Sequence, residues 1–215
     1  PSGTVRWAAP ASHMEQLRLI VGLGNPGAEY APTRHNVGFL LTDQLAARWQ
    51  IGWQTERKFQ ARLARGERKD ERVLLCQPLT YMNASGEAVA AVMRYYQVVP
   101  GRLMVGVDDA DLPLGEIRLR PGGGSGGHHG LESLMRHLGT DAFARLRMGI
   151  GRQAGAREIT GHVLGRFTAA EARVVEAVLR AAANQVECWL DAGLQQAMNN
   201  FNGVVVPSET ERNET

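Results

Sequence analysis

The stretch Leu19-Ile-Val-Gly-Leu-Gly-Asn-Pro-Gly27 joins a short apolar run to glycines at Gly-x-Gly-x-x-Gly spacing. The apolar run predicts a buried strand, and the glycine spacing occurs in loops that bind dinucleotides. Such a loop leads directly into a helix, and an acid follows about 20 residues later at the end of a second strand. Here Pro26 interrupts the motif and Asp43 falls within a predicted helix, which argues against a dinucleotide site. A glycine turn that leaves a sheet is the simpler alternative.

Polar residues follow this turn closely, at the carboxyl end of the first predicted strand. They are Asn25, Tyr30, Thr33, Arg34, His35 and Asn36. Open α/β sheets place their binding sites at this end of the strands. The opening stretch therefore predicts an α/β sheet whose first loop contributes to a site.

The rest of the chain alternates between strand and helix patterns. Strands are predicted over 17–23, 103–107 and 145–150, an edge strand over 116–120, and a hairpin from 59–64 and 73–76. Helices are predicted over 39–49, 88–96 and 131–138, followed by a long helix that begins at a capping box of Thr168 and Glu171. The predicted fold is a single α/β domain, with a twisted mixed β-sheet and helices on both faces.

Composition limits the class of protein and its partners. The chain has 215 residues, of which 44% are hydrophobic and 21% charged, as in an ordinary globular domain. A net charge of +2 means that a nucleic-acid partner would need Lys and Arg gathered on one face. Cys76 and Cys188 lie far apart, which fits a reducing compartment. We find no membrane-spanning run and no signal peptide before Met14, so we expect a cytoplasmic protein.

The two ends of the chain differ from the part between them. Residues 1–13 lack periodicity and end in Ser-His before Met14, as a leader left by cloning does. Residues 207–215 are polar and lack apolar anchors, and we expect a disordered tail over 204–215. The predicted domain therefore spans residues 14–203.

Two motifs invite functional interpretations that their context does not favour. The run Gly123-Gly-Ser-Gly-Gly127 matches Gly-x-Ser-x-Gly, but glycines on every side cannot hold the strained turn of a nucleophilic serine. We interpret this segment, with Ser125 in it, as a mobile loop. The adjacent His128 and His129, with Glu132 nearby, do not make the three or four converging ligands of a metal site. We therefore predict neither a serine nucleophile nor a bound metal.

Three polar residues stand at the ends of predicted strands or the starts of predicted helices. They are His35, Asn83 and Asp108. Singly, Asn83 could cap a helix, Asp108 could form a turn, and His35 could be a partly buried polar residue. Their common placement at one edge of the sheet favours a shared functional cleft.

Together the motifs carry a resemblance that covers the chain from Leu17 to about Gly203. The matching segments are Gly22-Leu-Gly-Asn-Pro-Gly27, Tyr30, Thr33-Arg-His-Asn36, Tyr81-Met-Asn83, Ser85-Gly86, Asp108, Asp111-Leu-Pro113, the loop from Gly122 to Gly130, and Arg145-Leu-Arg-Met-Gly-Ile-Gly151. In order and spacing they resemble the bacterial peptidyl-tRNA hydrolases. The resemblance implies hydrolysis of the ester between a peptide and the terminal ribose of tRNA, with no cofactor.

The resemblance also implies roles for the residues at the site. His35 would be the general base that takes a proton from water, and Asp108 would orient its ring and support its charged form. Asn83 would bind the peptide main chain and polarise the scissile carbonyl, and Asn25 would contact substrate beside the histidine. The remaining implied substrate contacts are Tyr30, Tyr81, His128 and His129.

Two of the implied positions differ from the family pattern. His129 stands where the loop of the family usually carries a substrate-contacting asparagine. Arg120 stands at the position of a family lysine and, with Arg147, would bind the phosphate at the tRNA end. A family lysine expected after Gly151 is missing, and Arg157 lies near its place.

The partner implied by the resemblance is peptidyl-tRNA, bound by a monomer that needs neither a membrane nor an obligate protein partner. Two other classes remain as alternatives: a non-catalytic RNA-binding relative and a nicotinamide-dependent oxidoreductase. The intact set of His35, Asp108, Asn25 and Asn83 argues against the first.

Overall fold

A computed structural model describes residues 17–69, 71–151 and 159–205, except the side chains of Ile159 and Thr160. The predicted leader at 1–13, Arg157 and most of the predicted tail lie outside these ranges. At the near end of that tail, Val204 belongs to a strand and the Val205 amide donates to the Gly115 carbonyl at 2.7 Å. Described structure therefore continues two residues beyond the end that we predicted for the domain.

The centre of the fold is one mixed sheet of eight strands. These are β1 (Leu17–Gly22), β2 (Trp53–Glu56), β3 (Ala61–Arg68), β4 (Glu71–Pro78), β5 (Leu103–Asp109), β6 (Glu116–Arg120), β7 (Ala144–Gly149) and β8 (Gly203–Val204), in the order β2-β3-β4-β1-β5-β7-β6-β8. The four central strands β4, β1, β5 and β7 are parallel, and the flanking pairs are antiparallel. The carboxyl ends of the parallel strands therefore meet at one edge of the sheet.

Helices cover both faces of this sheet, which confirms the predicted fold class. They are α1 (Val37–Arg48), α2 (Ser85–Tyr96), α3 (His129–Leu138), α4 (Ile159–Val163), α5 (Ala169–Ala192) and α6 (Leu194–Phe201). On one face α1, α5 and α6 pack on Ile20 and Leu146, and on the other α2 and α3 pack on Val21 and Val105. The alternating side chains of β1 thus serve two cores, which explains why the opening run is apolar throughout. None of the helices within the described ranges is long and apolar enough to cross a bilayer.

Close packing of α1 on the sheet accounts for two glycines. A Cβ atom on Gly22 would lie 2.1 Å from the Gly38 carbonyl oxygen, and a Cβ on Gly38 would lie 2.4 Å from that of Gly106. Only glycine permits the backbones to approach this closely. Gly22, the first glycine of the opening motif, therefore serves helix packing, and α1 begins only at Val37.

The predicted elements are present, with shifted ends and one change of position. The capping box of Thr168 and Glu171 begins α5, as the sequence predicts. The hairpin is present, but its strands extend into the charged turn and reach Arg68 and Glu71. The strand at 116–120 is not at the edge, because β8 pairs with Glu116 and Ile117.

Beyond the two residues that pair with β8, a side chain takes the place of a neighbouring strand. Asn202 accepts from the Leu119 amide at 2.7 Å and donates to the Leu119 carbonyl at 3.1 Å. Its carboxamide therefore satisfies both backbone groups of one strand residue, as a neighbouring strand would. The sequence patterns did not predict α6, β8 or this contact.

Candidate active site

A pocket of about 420 Å³ opens at the carboxyl edge of the parallel strands. Loops after β1, β4 and β5, the N-terminus of α3, and the end of α4 surround it. Eight of the residues predicted for the site line it, namely Asn25, His35, Tyr81, Asn83, Asp108, His128, His129 and Arg147. The lining residues do not include Tyr30 or Arg120, among those the structure describes.

His35 and Asp108 are in direct contact at the base of this pocket. His35 lies on a 3-10 turn before α1, and its Nδ1 is 2.8 Å from Asp108 Oδ1 at the end of β5. Both residues are buried, with 8% and 4% of their surfaces exposed. A carboxylate accepts the Nδ1 proton, so His35 Nε2 is left as an unprotonated base. Within the described ranges no hydrogen-bond partner is found for that nitrogen.

His128 reaches the same carboxylate oxygen. Its Nε2 lies 3.0 Å from Asp108 Oδ1, and its ring centroid is 5.1 Å from that of His35. Its Nδ1 accepts the backbone amides of Gly130 and Leu131 at 3.1 and 3.3 Å, which makes it the N-cap of α3. A nitrogen that accepts two amides carries no proton, so the proton lies on Nε2 and is donated to Asp108. His128 is therefore held as a donor.

The two histidines control the ionisation of Asp108. Burial alone would raise the pKa of this carboxyl, but electrostatic attraction and hydrogen bonds from the His128 and His35 rings outweigh burial and hold the pKa well below its usual range. Asp108 is therefore a carboxylate at neutral pH. It can stabilise an imidazolium on His35 without taking the proton itself.

Hydrogen bonds hold both the backbone and the side-chain oxygen of Asn25, which leaves its side-chain nitrogen as a donor at the pocket. Its backbone amide donates to Asn36 Oδ1 at 2.9 Å, and Asn36 Nδ2 donates to its carbonyl at 3.0 Å. Its side-chain oxygen accepts the Met82 amide at 2.8 Å. This leaves Nδ2 as a donor directed to the pocket that Asn25 lines.

The outer rim of the pocket is more exposed. Tyr81 has 64% of its surface exposed, and Asn83 is also exposed on the 3-10 turn before α2. On the facing side, His129 Nδ1 lies 3.3 Å from Glu132 Oε2 in the first turn of α3. Exposed amide and ring groups at a rim suit contacts with an extended substrate.

Arg147 supplies the positive charge in this pocket. It extends from β7, and its Nε lies 2.7 Å from Asp109 Oδ2 in an ion pair whose angle is outside hydrogen-bond geometry. Because Nε faces Asp109, the two terminal nitrogens are left for a ligand. Arg120 ends β6 and pairs through its backbone with Arg145 on β7. It is exposed and is not among the residues that line the pocket.

Hydrogen bonds from Arg145 hold the first half of the glycine-rich loop. Arg145 is buried, donates to the carbonyls of Gly123, Gly124 and Asp141, and stacks over Phe143 at 4.6 Å. Ser125 follows these glycines and contacts Glu132 at 3.3 Å and the Gly127 amide at 3.2 Å. The Glu132 carboxylate is half exposed to solvent, and among the described residues no histidine contacts the Ser125 hydroxyl.

One group within the described ranges combines three metal-ligating side chains, His35, Asp108 and His128, with candidate ligand atoms within 4.8 Å of one another. These atoms meet at Asp108 Oδ1 at hydrogen-bond distances. His128 would also have to give up its helix cap to bind a cation through Nε2, because its proton would move to Nδ1. The arrangement fits a hydrogen-bonded triad better than a metal site.

Sequence reasoning gave no role to three residues that organise the site. Asn36 and Arg34 flank His35 in the recognised motif, but their partners lie far away in sequence, at Asn25 and Glu171. Arg145 had a visible signal, because an arginine inside a predicted buried strand needs partners. Its partners are the carbonyls of the glycine loop.

Comparison with known proteins agrees with this geometry. Residues 19–212 match the family model for peptidyl-tRNA hydrolase. The peptidyl-tRNA hydrolases of Synechococcus sp. strain JA-3-3Ab and Geobacillus kaustophilus are 53% and 50% identical over 186 residues, which are 86% of this chain and 83% and 100% of theirs. The crystal structure of the Acinetobacter baumannii peptidyl-tRNA hydrolase superposes with a TM-score of 0.84 at 40% identity, and covers 91% of this chain and 99% of that one. On this evidence the chain belongs to the peptidyl-tRNA hydrolase family.

Proposed function

We propose that this enzyme hydrolyses the ester bond of peptidyl-tRNA, with His35 as the general base and Asp108 as the residue that orients it. The observation that carries the proposal is the 2.8 Å contact between His35 Nδ1 and the buried Asp108 carboxylate. It directs the basic Nε2 away from Asp108, in a residue that lines the pocket. This is the orientation in which a histidine can remove a proton from water.

The steps follow from this orientation. Water loses a proton to His35 Nε2 as its oxygen attacks the ester carbonyl. Asp108 remains a carboxylate and stabilises the imidazolium. The bond to the ribose oxygen then breaks, and the imidazolium returns its proton to that oxygen. An alkoxide leaves more readily than an amine, so water suffices and no serine is needed.

Two amides are proposed to hold the reacting group. Asn25 Nδ2 and the Asn83 side chain donate hydrogen bonds without titrating, so both stay effective across pH. Asn83 binds the peptide main chain and polarises the carbonyl. Tyr81 and His129, which line the pocket, extend this contact along the rim. Tyr30, on the first loop and outside the described lining, is proposed to contact substrate beyond the rim.

The order of the strands supports a direction for the substrate. Asn83 follows β4, His35 follows β1, and Arg147 lies on β7, so the three lie in sequence across the sheet. We propose that the peptide occupies the β4 side and the tRNA end the β7 side. Arg147 and Arg120 then bind its phosphate. His128 supports Asp108 and holds the adjoining loop.

The proposal extends to a monomeric, cytoplasmic enzyme without a cofactor, a metal or an obligate partner. The large apolar side chains exposed among the described residues are scattered: Tyr81, Tyr95, Val99, Leu164 and Val204. Two of them, Tyr81 and Leu164, line the pocket. Such a surface gives little area for a permanent protein interface.

The test is release of free tRNA from purified peptidyl-tRNA by the full chain, in the presence of a chelator. Replacement of His35 by Ala is expected to lower kcat by at least about 10²-fold, because the base acts mainly in the transition state. The affinity for tRNA should change little. His137→Ala is a suitable control, because His137 bonds to the Ser133 carbonyl on α3 and is not among the pocket lining of the described chain.

The outcomes separate the two parts of the proposal. A parental chain that releases no tRNA contradicts the function. A parental chain and a His35→Ala variant with equal rates would leave the function and remove the general-base role.

A further inference from the structure

Arg34 precedes His35, and its side chain is bound to the connection between α4 and α5. Its Nη1 donates to the Arg166 carbonyl at 2.7 Å, and its Nη2 lies 3.0 and 2.8 Å from the two carboxylate oxygens of Glu171. The guanidinium also lies 5.2 Å from the ring centroid of Phe167. Arg34 is buried, with 8% of its surface exposed, while its ion-pair partner Glu171 is partly exposed.

The backbone of the same turn is bound to the same segment. The Arg34 amide donates to the Gly165 carbonyl at 3.0 Å, and Thr33 forms an isolated antiparallel bridge with Arg166. A Cβ on Gly165 would lie 2.9 Å from Arg34 Nη1, so glycine makes room for the guanidinium. The turn that carries His35 is thus attached to the α4–α5 connection by backbone and side chain.

That connection also carries part of the pocket wall. Val163 ends α4, Leu164 follows it, and both line the pocket. Beyond them, Glu171 is the N3 residue of the capping box that begins α5. The contacts of Arg34 therefore connect the turn of the catalytic histidine to the segment that carries one wall of the pocket and to the start of the longest helix.

We propose that Arg34 is a positioning residue for the hydrolysis reaction. It holds the His35 turn in register with Asp108 and holds the Val163–Leu164 wall at its distance from His35, without touching substrate. The role needs arginine in particular, because a planar fork reaches a carbonyl and a carboxylate at once and stacks on a ring. Lysine would keep the charge and lose most of these contacts.

The inference rests on the proposed function, and the experiment compares three variants with the parental chain. Arg34→Met removes the charge and the fork, and Arg34→Lys removes only the fork. Arg48→Met is the matched control, because Arg48 also bonds to α5, through Asn184 and Glu187, but lies on the far part of α1. We measure kcat, tRNA affinity, thermal unfolding, and the imidazole signals of His35 in proton–nitrogen NMR.

Arg34→Met is expected to lower kcat by at least about tenfold, because small displacements of a catalytic group are costly in rate. Its tRNA affinity should stay within about twofold of the parental value, since phosphate binding is assigned to other arginines. The NMR signals of the His35 ring should shift or broaden. Arg34→Lys should fall between Arg34→Met and the parental chain, and Arg48→Met should match the parental kcat.

A folded Arg34→Met variant with parental kcat and unchanged His35 signals would overturn the positioning role. If Arg34→Met does not fold, Arg34→Lys decides: parental kcat in that variant overturns the proposal, and a loss of at least about threefold supports it. A parental chain without hydrolysis would instead contradict the proposed function. The two failures are thus distinguishable.

Discussion

Asp108 Oδ1 is the atom on which the proposed chemistry depends. It accepts from His35 and from His128, at 2.8 and 3.0 Å. If the carboxylate turns toward one donor, its hydrogen bond with the other donor becomes weaker. His128 therefore acts on His35 through Asp108, and its helix-capping bonds transmit the position of α3 to the carboxylate.

This environment gives Asp108 a distinct effect on stability at acid pH. Because its pKa is lower in the folded chain than in the unfolded one, the carboxylate stabilises the fold above about pH 3.9, the pKa of an unfolded aspartate. That contribution is lost as the pH falls toward the folded pKa. Between about pH 5 and pH 3, Asp108→Asn should therefore lose about 1 kcal/mol less free energy of unfolding than the parental chain.

Urea unfolding of both proteins across that range measures the difference. Glu176→Gln is the control, since Glu176 is exposed on α5. Parallel curves for the parental chain and Asp108→Asn would contradict the lowered pKa.

His129 stands at a position where the resemblance implies an asparagine. It is exposed at the first turn of α3, beside Glu132. A neutral imidazole donates one hydrogen bond much as asparagine does, while a protonated one adds a cation that attracts phosphate. His129→Asn should therefore bind substrate like the parental chain at about pH 8 and differ from it at about pH 5.5, because asparagine cannot gain a proton.

The measurement uses peptidyl-tRNA affinity in a His35→Ala background, which prevents turnover. Coincident affinity curves from pH 8 to about pH 5.5 would mean that His129 makes no contact with substrate.

At the scale of elements, α2 and α3 carry opposite sides of the pocket. Asn83 precedes α2 and His128 caps α3, so the separation of the two helices sets the width between them. Gly86 allows their close approach: a Cβ there would lie 2.1 Å from the Ser133 carbonyl oxygen. The Gly86 amide also donates to Ser133 Oγ at 3.0 Å.

Gly86→Ala is therefore expected to lower the free energy of unfolding by about 1–3 kcal/mol, as overpacking of an interior does. It should also lower kcat, because α2 must move and takes Asn83 with it. Gly52→Ala is the control, since its Cβ would meet nothing within 4 Å. Thermal unfolding and tRNA release measure both effects, and equal stability of the two variants would refute the close contact.

The elements also show which features sequence patterns can predict and which they cannot. The apolar run of β1 and the capping box of Thr168 and Glu171 are local signals, and both elements are present. The strand pattern placed His35 and Asp108 at one edge of the sheet, but only the resemblance implied that they act as a pair. The bond between Asn25 and Asn36 spans 11 residues, and that between Leu119 and Asn202 spans 83. No periodicity encodes such contacts, since they depend on how the elements pack.

At the scale of the whole molecule, a net charge of +2 cannot by itself attract tRNA. The arginines near the pocket have to provide the local field. Arg147→Ala and Arg120→Ala should each raise KM with little change in kcat, because the contact is equal in ground and transition states. Each should also reduce the salt dependence of binding by about one phosphate.

Binding of peptidyl-tRNA at several salt concentrations tests this, with Arg173→Ala on the exposed face of α5 as a control. If both variants keep the parental salt slope and KM, these arginines are ordinary surface charges. Arg147 should have the larger effect, because it lines the pocket and Arg120 does not.

The carboxamide of Asn202 has a consequence for how copies of this chain behave toward one another. A strand with unpaired amides and carbonyls is a template on which a second molecule can add a strand, and such addition leads to aggregation. Because β8 pairs with only two residues of β6, Leu119 would offer such a template without Asn202. Asn202→Ala should therefore scatter more light than the parental chain when concentrated, whereas Asn199→Ala on the exposed face of α6 should not. On this prediction, one amide side chain limits the aggregation of this enzyme at high concentration.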